Sequence, residues 1–183
     1  MILLKDVIFS KDECDSLVNS IKRFTKAKLY FKGDGGVKTP TISPSQRNAL
    51  SKDSYLIPNT QLYNSIDTAV RKVGFKLNSD KLKFSVVKYK KGHFIYKHRH
   101  DRDGNIFLTC VIQLNDSTDY SGGDFLYWID GVEYTLTKEI GNGIIIGPEI
   151  EHEVTIVTSG ERHSFVLFLD YVDVLPLNKQ SII

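Results

Sequence analysis

The sequence predicts a mainly β fold of the α+β class, a double-sheet jelly roll braced by N-terminal helices. Three observations lead there. Beyond about residue 80 the chain becomes a succession of short β-rich runs separated by Gly, Asn, Asp and Ser clusters. Before that point, two stretches repeat apolar residues at helical spacing. Many short strands following two one-faced helices call for two packed sheets, with the helices covering one of them.

Residues 2–8 read as an opening strand. Ser10-Lys-Asp-Glu13 then has the capping-box pattern, in which a serine and a glutamate three residues apart satisfy each other's backbone N–H at a helix start. Cys14, Leu17, Val18, Ile21 and Phe24 follow at helical spacing and give that helix one apolar face. Gly33-Asp-Gly-Gly36 predicts a turn. Residues 37–57, with Pro40, Pro44 and little periodicity, predict a long loop of the kind that serves as a lid or binding segment. A second helix is expected from about Thr60 to Val73, with Leu62, Ile66, Ala69, Val70 and Val73 on its apolar face and Gly74 as its stop. Strands are expected at 82–89, 93–98, 106–113, 124–128, 132–137, 143–146, 152–157 and 163–171. Asp130-Gly131 marks a hairpin turn, while Asn115-Asp-Ser-Thr and Ser121-Gly-Gly mark loops.

The 183 residues fit one domain, with 1–80 as helical support and loop and 81–172 as the jelly-roll core. The formal charge is only +2, and the lysines alternate with apolar and acidic residues. That balance argues against nucleic acid or an anionic membrane as partner. No apolar run approaches the roughly 18 residues of a membrane span, and the N-terminal Met-Ile-Leu-Leu-Lys-Asp lacks the pattern of a secretory signal. Cys14 and Cys110 both fall among apolar residues and read as buried thiols, not as a disulfide framework. These features predict a reducing, cytoplasmic setting.

Five histidines carry most of the chemical potential of the chain. His98 and His100 stand two apart, so on a strand both rings point the same way. His152 opens a later strand behind Gly147-Pro148 and is the natural third donor to a shared metal ion. Arg162 and Ser164 share a strand face shortly afterwards. That pair suits a guanidinium gripping a carboxylate bidentately with a hydroxyl beside it. His93 and His163 read as surface or core residues. Tyr127 and Trp128 read as core residues or the lining of a substrate mouth, and Gly122 and Gly123 as backbone hinges.

Several of these segments together resemble the prolyl-hydroxylase-like 2-oxoglutarate/iron(II) dioxygenases. Tyr89-Lys-Lys-Gly92, followed by His98, is similar to the entry strand of that family, where a Tyr-x-x-Gly segment leads into a His-x-Asp pair. Phe107-Leu-Thr-Cys-Val-Ile-Gln-Leu-Asn-Asp116 resembles the next strand, and Tyr120-Ser-Gly-Gly-Asp-Phe125 the following Gly-Gly turn. His152-Glu-Val-Thr-Ile-Val-Thr-Ser-Gly-Glu-Arg162-His-Ser164 resembles the segment carrying the distal histidine and the cosubstrate arginine. Val7-Ile-Phe-Ser-Lys-Asp-Glu-Cys14 looks like the family's opening helix. The likeness spans nearly the whole chain and is best over 84–170.

The resemblance implies a double-stranded β-helix of the jelly-roll or cupin-like kind, iron(II) as metal, 2-oxoglutarate and O2 as cosubstrates, and ascorbate as a candidate reductant. It implies hydroxylation of a C–H bond in a peptidyl residue, proline-like, or in an amino acid, with release of succinate and CO2. Substrates would be a protein, a peptide or a small molecule. His98 and His152 would bind the metal. Arg162 would hold the far carboxylate of 2-oxoglutarate, helped by Ser164 and Tyr89.

The chain departs from the family in one place. Two residues after His98 stands His100, not an aspartate, and Asp101 follows. A carboxylate would complete a two-His-one-carboxylate triad and offset the metal's charge. Strand geometry instead brings His100 to that side. Asp101 and His100 therefore compete for the third ligand position, with Asp103 more distant. Two other readings use the same residues: a three-histidine iron oxygenase that does not use 2-oxoglutarate, and a non-catalytic binding module of the same fold. Nucleic-acid repair relatives carry a second arginine six residues after the first, and here that position is Phe168.

Overall fold

The computed structural model describes residues 2–21, 23–26, 29–32, 38–41, 47–78, 82–100, 107–169 and 172–174. In chain order these form β1 (Ile2–Val7), α1 (Lys11–Ser20), β2 (Thr25–Lys26), β3 (Leu29–Lys32), β4 (Lys38–Thr41), β5 (Arg47–Asn48), β6 (Leu50–Leu56), α2 (Gln61–Lys72), β7 (Phe75–Leu77), β8 (Leu82–Lys90), β9 (Phe94–His98), β10 (Leu108–Gln113), β11 (Tyr120–Gly122), β12 (Phe125–Ile129), β13 (Val132–Thr135), β14 (Asn142–Ile146), β15 (His152–Val154), β16 (Val157–Leu169) and β17 (Val172–Val174). The turn expected at Gly33-Asp-Gly-Gly36, and the candidate ligands Asp101 and Asp103, lie outside the described residues.

Two antiparallel sheets face each other. The larger runs β1-β14-β10-β16-β8-β6-β2, with β11 also pairing with β16; the smaller runs β13-β12-β15-β9-β5. Alternation along β10 assigns its two faces. Leu108, Cys110, Ile112 and Leu114 pack with Phe84, Val86, Phe165 and Leu167, and with Cys14 and Leu17 of α1 and Ile66, Ala69 and Val70 of α2. Both helices therefore cover the outer face of the larger sheet. The other parity, Val111 with Val87, Tyr89, Ile144 and Ile146, meets Phe125, Tyr127 and Val154 of the smaller sheet. The jelly-roll expectation holds, and the space between the sheets is where the candidate site lies.

Local chemistry sets the helix ends. The Ser10 hydroxyl accepts from the Glu13 N–H and the Glu13 carboxylate accepts from the Ser10 N–H. Glu13 also accepts from Ser65 of α2 at 2.7 Å, which ties the two helices together. α1 stops at Ser20, sooner than the apolar spacing predicts. Ile21 is extended, and with Phe24 it reaches the same core from non-helical backbone. Thr60 caps α2, and Gly74 at φ +87° ends it as expected. Asp130 (φ +50°) and Gly131 (φ +79°) turn the β12–β13 hairpin.

Two expectations are corrected. The region 37–57 is not one loop: it contains β4, β5 and β6, and β6 pairs with β8 along its whole length. Most of β6 is exposed, so it carries no apolar alternation to read. The strands expected at 152–157 and 163–171 are divided differently. β15 ends at Val154, and β16 runs unbroken from Val157 through the Thr158–Glu161 stretch that resembles a turn. Gly160 allows this at φ +72°, where an added Cβ would lie 2.0 Å from the Asp119 carbonyl oxygen.

Candidate active site

β9 and β15 are neighbours in the smaller sheet, and His98 pairs directly with His152. Side chains of directly paired residues share a face, and the two rings stand 4.3 Å apart between centroids. β9 ends at His98, so His100 stands just past the strand instead of on it. Its ring still joins the others, 5.1 Å from His98 and 5.2 Å from His152. The ligand nitrogens of the three histidines all lie within 4.8 Å of one another. Nitrogens about 2.1 Å from one ion stand about 3 Å apart when adjacent, so small ring rotations close the cluster on a metal.

The turn behind Gly147-Pro148 positions this cluster. The Pro148 carbonyl accepts from the His100 N–H at 2.8 Å. The Ile150 carbonyl lies 2.9 Å from His152 Nδ1, and the Tyr96 carbonyl 2.8 Å from His98 Nδ1. A carbonyl can only accept, so both Nδ1 atoms carry the proton and each Nε2 presents a lone pair. That is the tautomer of a metal-ligating histidine oriented by its backbone. His152 is buried, and Phe125 stacks on it at 5.6 Å. Burial, reinforced by the neighbouring His98 and His100, pushes the His152 pKa well below the ordinary histidine range, against the pull of the Ile150 carbonyl. The neutral imidazole it favours is the form that binds metal. Phe168 of the larger sheet meets His100 edge to face at 5.0 Å.

Arg162 lies on β16 opposite Tyr89 of β8. It is fully buried, an unusual place for a cation. Nη1 donates to Ser164 Oγ at 3.2 Å, and the guanidinium carbon sits 5.2 Å from the centre of the Tyr89 ring. Nε and Nη2 have no hydrogen-bond partner among the described residues. Gly123, at φ +62°, leaves room for the arginine stem: a Cβ there would stand 3.1 Å from Arg162 Cδ. Tyr120 is the nearby polar group that sequence reasoning passed over. Its hydroxyl is buried within reach of Arg162, and burial raises its pKa while the charge and hydrogen bonding of Arg162 draw it back.

Two further residues escaped the sequence reading. Thr109 and Gln113 are fully buried, and Thr109 Oγ1 and both amide atoms of Gln113 lack partners among the described residues. They share the inward parity of Val111 on β10, with Thr109 opposite Phe168 and Gln113 opposite Ser164. Their signal in the sequence is two polar residues four apart within an apolar run. Orphaned buried polar atoms are rare because each costs about 1–3 kcal/mol, so the unpartnered Gln113 amide, opposite the Ser164 that accepts from the buried Arg162, describes a polar ligand's binding space. A dicarboxylic 2-oxo acid fits that donor set, and the three imidazoles fit a divalent transition metal.

The sequence matches no protein-family model and no curated protein. Solved structures do resemble the chain. A Pseudomonas putida prolyl-4-hydroxylase superposes with a TM-score of 0.65 at 18% identity, covering 92% of each chain. A prolyl hydroxylase from Trichoplax adhaerens, in complex with a hypoxia inducible factor peptide fragment, gives 0.62 at 14% identity over 87% of this chain and 76% of that one. This chain has the fold of the 2-oxoglutarate/iron(II) oxygenases. A Burkholderia pseudomallei oxidoreductase of the 2OG-Fe(II) oxygenase family gives 0.59 at 18% identity over 96% and 86%. Within this oxygenase fold no described helix is long and apolar enough to cross a membrane.

Proposed function

We propose that the protein is a 2-oxoglutarate- and iron(II)-dependent dioxygenase that hydroxylates a C–H bond of a peptidyl residue, proline-like, or of an amino acid. The observation that carries this reading is Arg162, a fully buried guanidinium with two nitrogens unpartnered among the described residues, between the same sheets that carry the histidine cluster. A surface salt bridge needs no such burial, whereas a dicarboxylate cosubstrate needs a cation at its far end.

Iron(II) would be held by His98, His152 and a third group. Donor chemistry favours the Asp101 carboxylate, and the ring positions favour His100. With 2-oxoglutarate bound, the metal supplies oxidation of a substrate C–H bond by O2, with release of succinate and CO2. The chain's own residues do the rest. Tyr96 and Ile150 carbonyls hold the His98 and His152 Nδ1 protons, so each Nε2 stays basic and correctly turned. Arg162, Ser164 and Tyr89 orient the cosubstrate, and Phe125 excludes water from the buried His152 ring. Ascorbate is the candidate reductant. The chain works as one domain in a cytoplasmic, reducing setting, on a peptide or small-molecule substrate.

Formation of succinate from 2-oxoglutarate by the iron-loaded protein tests this, with peptide and amino-acid pools screened by mass for the gain of one oxygen. Absence of succinate under those conditions refutes it. The three-imidazole cluster favours a second reading, a three-histidine oxygenase that dispenses with 2-oxoglutarate. Anaerobic binding of 2-oxoglutarate separates the two.

A further inference from the structure

β16 has a second face. Arg162 and Ser164 point between the sheets, while His163 faces the opposite way with Phe165 and Leu167, on the side that the helices cover. The cover is incomplete there. A cavity of about 400 Å³ opens between α1, the segment that follows β10, and β16. Val18 and Leu114 give it apolar walls, and Asp15, Asp119, Glu161 and His163 give it polar ones.

His163 is only 8% exposed, yet its ring nitrogens make no hydrogen bond among the described residues. The backbone around it is satisfied. Asn115 Oδ1 accepts from the His163 N–H at 2.7 Å, and the His163 carbonyl accepts from the Leu114 N–H at 3.0 Å. The ring itself lies beside Phe24, 6.2 Å between centroids. Burial, with help from Lys88, pushes its pKa down to about 4, so at neutral pH the ring offers one N–H and one bare lone pair.

The carboxylates around the cavity are unequally answered. Glu161 takes Lys88 at 2.6 Å and Lys90 at 3.5 Å, and Asp15 takes Lys11. Asp119 accepts from the Asp116 N–H at 3.1 Å and has no cation partner among the described residues. It is close enough to act on the charge of His163. An unanswered carboxylate and an imidazole lone pair thus line one cavity. A guanidinium presents its donors in a planar fork that serves two acceptors at once, and its apolar stem packs against surfaces such as Val18 and Leu114.

We propose that this cavity is a docking site for an arginine side chain of a peptide or protein partner, its guanidinium shared by Asp119 and His163 and its stem laid on Val18 and Leu114. The site sits on the reverse face of the strand that carries Arg162. It stands whether or not the chain uses 2-oxoglutarate.

The test uses the full chain at neutral pH with an acetylated, amidated Gly-Arg-Gly peptide. The control is the same peptide with citrulline in place of arginine, which keeps the shape and removes the charge. Ring resonances of the five histidines are followed by NMR, that of His163 being the one missing from His163→Gln. The His163 signal should shift saturably with the arginine peptide, and the citrulline peptide should bind about 10-fold more weakly, the effect of making a charge-assisted hydrogen bond neutral. Asp119→Asn keeps the oxygen that accepts from Asp116 and removes the charge, so its melting temperature should match the wild type while its affinity for the arginine peptide falls about 10-fold. Equal affinity for the two peptides, full arginine affinity in Asp119→Asn, or no response of His163 to the arginine peptide overturns the inference. Sedimentation identifies a different occupant: self-association that Asp119→Asn abolishes, with no peptide response, assigns the cavity to a second copy of the chain and overturns the partner reading.

Discussion

Replacing Arg162 with leucine should separate what the guanidinium does for folding from what it does for the cosubstrate. In the ligand-free protein the charge is fully buried and only Nη1 has a partner among the described residues. Effective desolvation costs several kcal/mol per buried ion. Against it stand a hydrogen bond to a charged group, about 2 kcal/mol, and the stack on Tyr89, about 2 kcal/mol when desolvated. These nearly cancel, and the smaller leucine side chain adds a packing loss of about 1 kcal/mol. Arg162→Leu should therefore change ligand-free stability by no more than about 2 kcal/mol in either direction, where emptying an ordinary core position of this size costs about 3–5 kcal/mol. Binding behaves differently. A buried carboxylate that loses its bidentate partner costs about 3–5 kcal/mol, or roughly 10²- to 4 × 10³-fold in affinity. Urea unfolding of the ligand-free variant and calorimetry with 2-oxoglutarate on the Mn(II)-loaded protein measure the two terms. A loss of more than about 4 kcal/mol in stability with unchanged affinity would make Arg162 a structural cation and refute the reasoning.

Other perturbations give equally direct outcomes. Metal content of Asp101→Ala and His100→Ala after anaerobic iron reconstitution identifies the third ligand: the variant that loses iron marks it, and retention of full iron by both excludes the pair. His163 is buried beside Lys88 and its pKa falls to about 4 from 6.5, with burial the larger cause. The unfolded chain takes up that proton first, so stability is fully present above pH 6.5 and is lost as pH drops toward 4, by up to about 3 kcal/mol. His163→Leu should flatten unfolding free energy against pH across that window, and an unchanged slope contradicts the assignment. Gly160→Ala should cost about 3 kcal/mol or more, because its Cβ meets the Asp119 carbonyl at 2.0 Å and its φ is +72°; an unchanged melting temperature would show that β16 does not pass residue 160 as described.

The elements most legible in the sequence were those that carry their own punctuation. Ser10 with Glu13, Thr60 with Gly74, and Asp130-Gly131 each specify local backbone through side-chain caps or positive φ, and each stands where expected. β6 was not legible, because Lys52 to Tyr55 are exposed and are held by backbone pairing to β8, which no local pattern encodes. The break expected before Arg162 failed for a related reason: Thr158-Ser-Gly-Glu161 has turn composition, yet pairing with Tyr120 carries the strand through Gly160. In the site, His98, His152 and Arg162 could be picked out by spacing. Gln113, Thr109 and Tyr120 could not, since a polar residue in an apolar run gains meaning only when pairing shows which face it shares and with what. His100 was legible as a donor for the wrong geometric reason: it joins the cluster from beyond the end of β9, held by the Pro148 carbonyl.

The proposed function requires one metal and one dicarboxylic 2-oxo acid to share the space between the two sheets. Anaerobic titration of the iron(II)-loaded protein with 2-oxoglutarate tests it most directly, through the visible charge-transfer absorption that arises when a 2-oxo acid chelates ferrous iron. The absorption should appear and saturate in the wild type, be lost in His152→Ala with the metal, and require far higher 2-oxoglutarate in Arg162→Leu. Iron bound by the wild type with no such absorption at any 2-oxoglutarate concentration would contradict it.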